Sequence, residues 1–166
     1  MTIVVEDGTS VSGANSYVTT DELRTYADLR GLSYPSDDVD IEILLIKAAD
    51  YLESFRDRYK GDKSASTNAL QWPRTDVYID GYSITKTTIP TELKNAQIQI
   101  ALDAQTVEIS PNELATDKGD RKKEKVDVIE VEYFERSNKR TQPKFTKAMY
   151  FLSPLLKQNG LFAVRA

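Results

Sequence analysis

Apolar residues recur at spacings of three and four along four stretches of the chain, the signature of helices that bury one face. The first opens with Thr19 and Glu22, three residues apart as in a capping box, and carries Leu23, Tyr26, Ala27 and Arg30 on one face until Gly31. The second starts in "PSDDVD", where Ser36 or Asp38 can cap and the acidic side chains suit the positive end of the helix dipole. Its stripe of Ile41, Leu44, Leu45, Ala48, Leu52, Phe55 and Tyr59 predicts about five turns ending near Gly61. The third has Pro90 in its first turn, then Leu93, Ala96, Ile100, Ala101, Ala104 and Val107, and is closed by Pro111. The fourth runs through Phe145, Ala148, Met149, Leu152, Leu155 and Leu156, with Pro154 ending or kinking it.

Other stretches are short and β-prone. Ile3-Val4-Val5 leads into the turn-rich "EDGTSVSGAN", which reads as an ordered arm over residues 1–15. The residue before Pro73 is pushed toward extended backbone, so the chain turns at Trp72. Val77, Ile79, Tyr82 and Ile84 then flank Asp80-Gly81, a tight hairpin signal. In "VDVIEVEYFE", Ile129, Val131 and Tyr133 alternate with Glu130 and Glu132, as in a half-exposed edge strand. There is no internal repeat. These elements predict a mainly α fold: a compact bundle of about four helices with a small hairpin and an edge strand as accessories. The expected organisation is a single domain over 1–166 with the arm 1–15, a mobile charged loop 112–125 and an apolar tail 160–166.

Composition narrows the chemistry. A length of 166 residues suits one core, and 29% charged with 40% hydrophobic residues is a globular balance with no apolar run of bilayer length. The start "MTIVVEDGTS" lacks the basic and apolar regions of a secretory signal, which predicts synthesis and retention in a cytoplasm. The chain has no Cys and no His, which excludes a thiolate nucleophile, a disulfide, a sulfur-based zinc site and the usual neutral-pH base. It also lacks G-x-S-x-G, a phosphate-binding Gly-Lys-Ser/Thr loop and an Asp-rich calcium loop. The expectation is a protein that is not an enzyme and uses no cofactor or metal. The net charge of −4 opposes strong nonspecific attraction to nucleic acid or an anionic membrane, so any DNA contact must be local.

Each candidate site has a plainer alternative. Trp72-Pro73-Arg74 could stack bases and hold phosphate, but a lone Trp before a chain-reversing Pro more often plugs a core or an interface, with Arg74 paired to an acid. Lys118, Arg121, Lys122, Lys123 and Lys125 could meet DNA, yet Asp117, Asp120 and Glu124 interrupt them, leaving a formal +2 and no interleaved aromatic. A solvated loop fits that mixture better. Tyr17, Tyr26, Tyr51 and Tyr59 read as packing residues with polar tips rather than stacking platforms. The acids of "SDDVD" fall at a helix start and those of "EVE" on an outward strand face, so neither group marks a metal or acid-base site. The tail, with Leu161, Phe162, Val164 and Arg165, must fold back on its own core or dock into a partner's groove or sheet edge.

"EDGTSVSGANSYV" at 6–18, "AADYLE" at 48–53, "WPRTDVYIDGY" at 72–82, "IP" at 89–90 and "EKVDVIEVEY" at 124–133 resemble, in that order, a tailed-bacteriophage family. Its members are often labelled DnaT-like single-stranded-DNA-binding proteins and are similar to head-tail connector, or neck adaptor, proteins. Asp127 stands where that resemblance leads us to expect a glycine before the strand. The resemblance implies a structural virion protein. Copies would form a ring, typically of twelve, joining the portal to the next neck or tail-completion protein, with DNA passing through the channel without sequence-specific binding and no membrane partner. On that basis Trp72, Arg74, Tyr78, Tyr82, Ile129, Val131 and Tyr133 are assembly-interface candidates. Leu161, Phe162, Val164 and Arg165 are candidates for portal docking, and Lys118, Arg121, Lys122, Lys123 and Lys125 for the channel or an adjacent ring. The alternative is a single-stranded-DNA-binding protein of phage replication.

Overall fold

The computed structural model describes residues 2–109 and 145–157 in full and the backbone of 124–126 and 129–131. Helix α1, Thr20–Asp28, starts where the sequence places it: Glu22 N–H donates to the Thr19 hydroxyl at 3.1 Å, and Thr19 N–H donates to the Glu22 carboxylate at 2.8 Å. That reciprocal pair satisfies two amides the helix would otherwise leave free. Leu23, Tyr26 and Ala27 are buried, and the Arg30 guanidinium lies 3.6 Å over the Tyr26 ring.

Helix α2 spans Asp38–Glu53 and is capped by Asp37, whose carboxylate accepts from Val39 N–H, rather than by Ser36 or Asp38. It ends six residues before Tyr59, short of the predicted five turns. Beyond it Phe55, Arg56 and Arg58 N–H bond three residues back, so tight turns replace the α-helix while still burying Phe55 and Tyr59. The cause lies at Gly61, where the chain reverses with φ +63. A Cβ there would stand 1.9 Å from the Thr75 carbonyl oxygen, a space only glycine leaves open.

Three separate two-stranded antiparallel ladders follow: β1 (Asp62–Lys63) with β2 (Arg74–Thr75), β3 (Val77–Ile79) with β4 (Tyr82–Ile84), and β5 (Glu124–Val126) with β6 (Ile129–Val131). The fold is therefore mixed α/β, not the mainly α bundle expected from the apolar stripes. The region between α2 and the third helix is built from turns and short strands, because Gly61, Pro73 and Asp80-Gly81 punctuate it. Of the strand expected over 126–135, Ile129–Val131 forms β6, while Val126 belongs to β5 as the register partner of Ile129; Glu124 and Lys125, expected in the charged loop, are in β5 as well.

Helix α3, Thr91–Asp103, is preceded by Pro90 and ends before Val107, which is exposed. Among its 13 residues, Leu93 and the whole run from Ala96 to Leu102 are buried, so it is covered on nearly every side. Helix α4, Thr146–Leu152, runs into a 3-10 turn, Ser153–Leu155, at Pro154, where the sequence expects the break. Helix α3 packs against both α2 and α4. Gln97 on α3 is fully buried: its amide nitrogen donates to Ser16 Oγ (2.8 Å) and the Leu45 carbonyl (2.9 Å), and its oxygen accepts from Tyr17 N–H (2.9 Å). One side chain thus ties the arm to two helices with every polar atom satisfied.

The arm is ordered by its own acid. The buried Glu6 carboxylate accepts from the N–H groups of Gly8, Ser10 and Val11, each at 2.9 Å, and Val4 exchanges backbone and side-chain bonds with Asn15.

Candidate functional site

The segment 71–86 carries the chain's single tryptophan and two exposed tyrosines, and the fold separates them. Trp72 is 0% exposed and meets the Tyr59 ring edge-on, with centroids 5.9 Å apart. Of the core and the interface, it fills the core, and it presents no stacking face. Arg74 is 5% exposed. It does not pair with an acid, as the sequence suggested; its guanidinium donates to the carbonyls of Lys60 (2.8 Å), Gly61 (2.6 Å) and Gln71 (3.4 Å). Desolvation lowers its pKa, but the fork of donors is occupied. Arg74 thus clamps the 60–61 turn to β2, and neither Trp72 nor Arg74 is offered to a neighbouring molecule by this surface.

Tyr78 and Tyr82, in contrast, are 57% and 78% exposed. They sit on the β3–β4 hairpin, whose two-residue loop has φ 51 at Asp80 and φ 85 at Gly81, the positive pair of a type I′ turn. Val77 is buried beneath, with Ile79 and Ile84 packed partly against the core, so the hairpin is anchored at its base and free at its tip.

Beside it runs a set of cations, three of which, Arg56, Arg58 and Lys60, fall in the stretch expected to end the second helix. Lys60 Nζ reaches the Tyr78 carbonyl at 3.5 Å, Lys60 N–H donates to Leu155, and Lys157 N–H donates to Arg58. These bonds join Lys60 to the hairpin and tie the turn of Arg58 and Lys60 to Lys157; Arg56 and Lys63 flank that turn in sequence. Four carboxylates, Asp57, Asp62, Asp76 and Asp80, lie among them, so the excess is small. It stands out against α1, the start of α2 and the turn between them, where the sequence has Asp21, Glu22, Asp28, Asp37, Asp38 and Asp40 against Arg24 and Arg30, with Lys94 of α3 pairing with Glu22. Basic residues at every second position, 56, 58 and 60, were the available signal; it was masked by the apolar stripe of Phe55 and Tyr59 running through them.

Among the described residues no group of His, Cys, Asp or Glu could hold a metal ion, and no helix is long and apolar enough to cross a membrane. Glu53 is a partly buried carboxylate at the end of α2. Burial raises its pKa, while bonds from Tyr17 and Gln71 oppose the shift. It stands in a structural network with Tyr17, whose phenol is itself raised by burial. A cavity of about 290 Å³ lies elsewhere, lined by Lys47, Asp50, Tyr51, Ser54, Glu108 and Ile109; it brings one lysine and two carboxylates together, with no nucleophile activated by a base.

The remaining candidates lie outside the described residues: Lys118, Arg121, Lys122 and Lys123, Tyr133, and the tail with Leu161, Phe162, Val164 and Arg165. Lys125, Ile129 and Val131 are described only as backbone, in β5 and β6.

A family profile described as "Putative DnaT-like ssDNA binding protein" matches residues 1–166. The chain belongs to this DnaT-like family. No curated protein and no solved structure matches it.

Proposed function

We propose that this protein binds single-stranded DNA through the β3–β4 hairpin and the cationic turn beside it. The observation that carries this reading is the placement of Tyr78 and Tyr82, both exposed, on a hairpin whose Tyr78 carbonyl meets Lys60 Nζ, on a chain of net charge −4. The family match over the whole chain supports it. Such a site holds bases by stacking, which is tolerant of sequence, and engages few phosphates. With about three contacts, log affinity falls with log salt at a slope of about −2. The low net charge keeps binding local and weak.

The test is fluorescence anisotropy of a labelled oligodeoxythymidylate at low salt, with Tyr78→Ala and Tyr82→Ala variants. Each ring that holds a base contributes about 1–3 kcal/mol, so each variant should weaken binding at least severalfold. Absence of binding by the wild type would overturn the proposal.

A second reading is the neck ring, with the portal and a tail-completion protein as partners and the virion as its location. The net charge of −4 and a projecting hairpin that could reach a neighbouring copy favour it. It predicts no affinity for free DNA and near-equal copy number with the portal in purified particles, measured by mass spectrometry.

A further inference from the structure

The two tyrosines do not share a face of the hairpin. Register pairs Tyr78 with Ser83 and Ile79 with Tyr82, and cross-strand partners project to the same side of a sheet. Tyr78 therefore points with Ser83 away from the core, while Tyr82 points with Val77, Ile79 and Ile84 toward it and is exposed only because it lies at the tip. A single strand that touches both rings must pass around an edge of the hairpin.

The same register says which edge. In a hairpin with a two-residue loop, the residues closing the loop, Ile79 and Tyr82, exchange both ladder bonds. The next pair, Tyr78 and Ser83, turns its N–H and C=O groups outward. On the β3 side the outward Tyr78 carbonyl meets Lys60 Nζ, and β3 also lies against the 3-10 turn at Ser153–Leu155. On the β4 side Ser83 is exposed and its N–H has no partner outside the ladder among the described residues.

Resting on the reading above, we infer that the DNA backbone crosses the β4 edge at Ser83, whose backbone N–H donates to a phosphate oxygen between one base stacked on Tyr78 and another on Tyr82. A strand of protein adding to this edge is disfavoured, because three residues leave a single outward N–H and C=O pair, too little for a ladder. One amide between two aromatic rings matches one phosphodiester between two bases. The contact is to phosphate, so the crossing should carry no sequence preference.

Proline at position 83 removes this N–H alone, since a solvent-facing edge position tolerates the ring. Affinity for oligodeoxythymidylate is compared among wild type, Ser83→Ala, Ser83→Pro and Ser83→Asp, with Thr87→Asp as an exposed control for charge. The expected result is Ser83→Ala within about twofold of wild type, and a loss of fivefold or more in Ser83→Pro. Ser83→Asp should lose more than Thr87→Asp. Far-ultraviolet circular dichroism checks folding, and the two aspartate variants decide the matter if the proline variant misfolds. Wild-type binding that both tyrosine variants weaken, with Ser83→Pro unchanged or Ser83→Asp no worse than Thr87→Asp, overturns the edge crossing and leaves the binding function standing. No wild-type binding overturns both.

Discussion

The Tyr17 phenol donates a 2.6 Å hydrogen bond to Oε1 of Glu53, and the same phenol oxygen accepts from Trp72 N–H at 3.2 Å. Glu53 also accepts from Gln71 N–H at 3.1 Å. Three segments far apart in sequence, the stretch between the arm and α1, the end of α2 and the loop into β2, are joined by one hydroxyl and one carboxylate. Tyr17→Phe removes the hydroxyl and leaves a buried amide and a partly buried carboxylate short of a partner. The expected cost is about 1–3 kcal/mol, read as a lower urea midpoint followed by the emission of the single tryptophan. An unchanged midpoint would show that water replaces the phenol freely.

Burial raises the Glu53 pKa in the fold above its ordinary value, against the opposing bonds from Tyr17 and Gln71. Between the ordinary glutamate pKa and the raised one, the folded chain binds more protons than the unfolded chain, so this group's contribution to stability declines as pH rises through that window. Glu53→Gln removes the titration and keeps an acceptor for Tyr17. Plotted against pH, the variant's stability relative to wild type should therefore rise from about pH 4.5 upward. Parallel profiles would mean that Glu53 ionises as it does in the unfolded chain.

What was legible in the sequence was local. The Thr19–Glu22 box, the Asp80-Gly81 turn and the break at Pro154 each depend on residues within a few positions, and each forms where expected. The overestimate of α2 and of helical content came from long-range geometry. Phe55 and Tyr59 keep helical spacing, but Gly61 must pass close to Thr75, and that contact is invisible in a period. Arg74 was misassigned for a similar reason. Its partners are backbone carbonyls, which every sequence contains and no pattern marks.

Arg74 should resist replacement by lysine. One ammonium cannot span the Lys60 and Gly61 carbonyls and reach Gln71 as the guanidinium fork does. Arg74→Lys is expected to lose about 2 kcal/mol or more by leaving buried carbonyls unpaired. Because the clamp holds the turn carrying Lys60, it should also weaken DNA binding at temperatures where the chain is still folded. Stability within about 0.5 kcal/mol of wild type would refute the clamp.

Trp72, sealed in the core against Tyr59, should emit at short wavelength and resist acrylamide or iodide. Addition of oligodeoxythymidylate should leave its emission unchanged, since the rings proposed to stack are tyrosines. Quenching by DNA would reinstate Trp72 as the platform and displace the hairpin.

Asp80 places a carboxylate two residues from Tyr82 at the tip of the hairpin, where it repels any phosphate lying between the rings. Asparagine adopts the same positive φ, so Asp80→Asn keeps the type I′ turn and deletes only the charge. An exposed charge of this kind contributes about 0.2–1 kcal/mol, so the variant should bind single-stranded DNA about two- to threefold more tightly at low salt. The gain should fade as salt shortens the screening length. Gly81→Val would instead strain the turn and splay both rings, weakening binding at every salt concentration. Opposite effects from two neighbouring residues, one dependent on salt and one not, separate the charge at the tip from the geometry that presents Tyr78 and Tyr82. Equal affinity in Asp80→Asn and wild type at low salt would place the phosphates away from the hairpin.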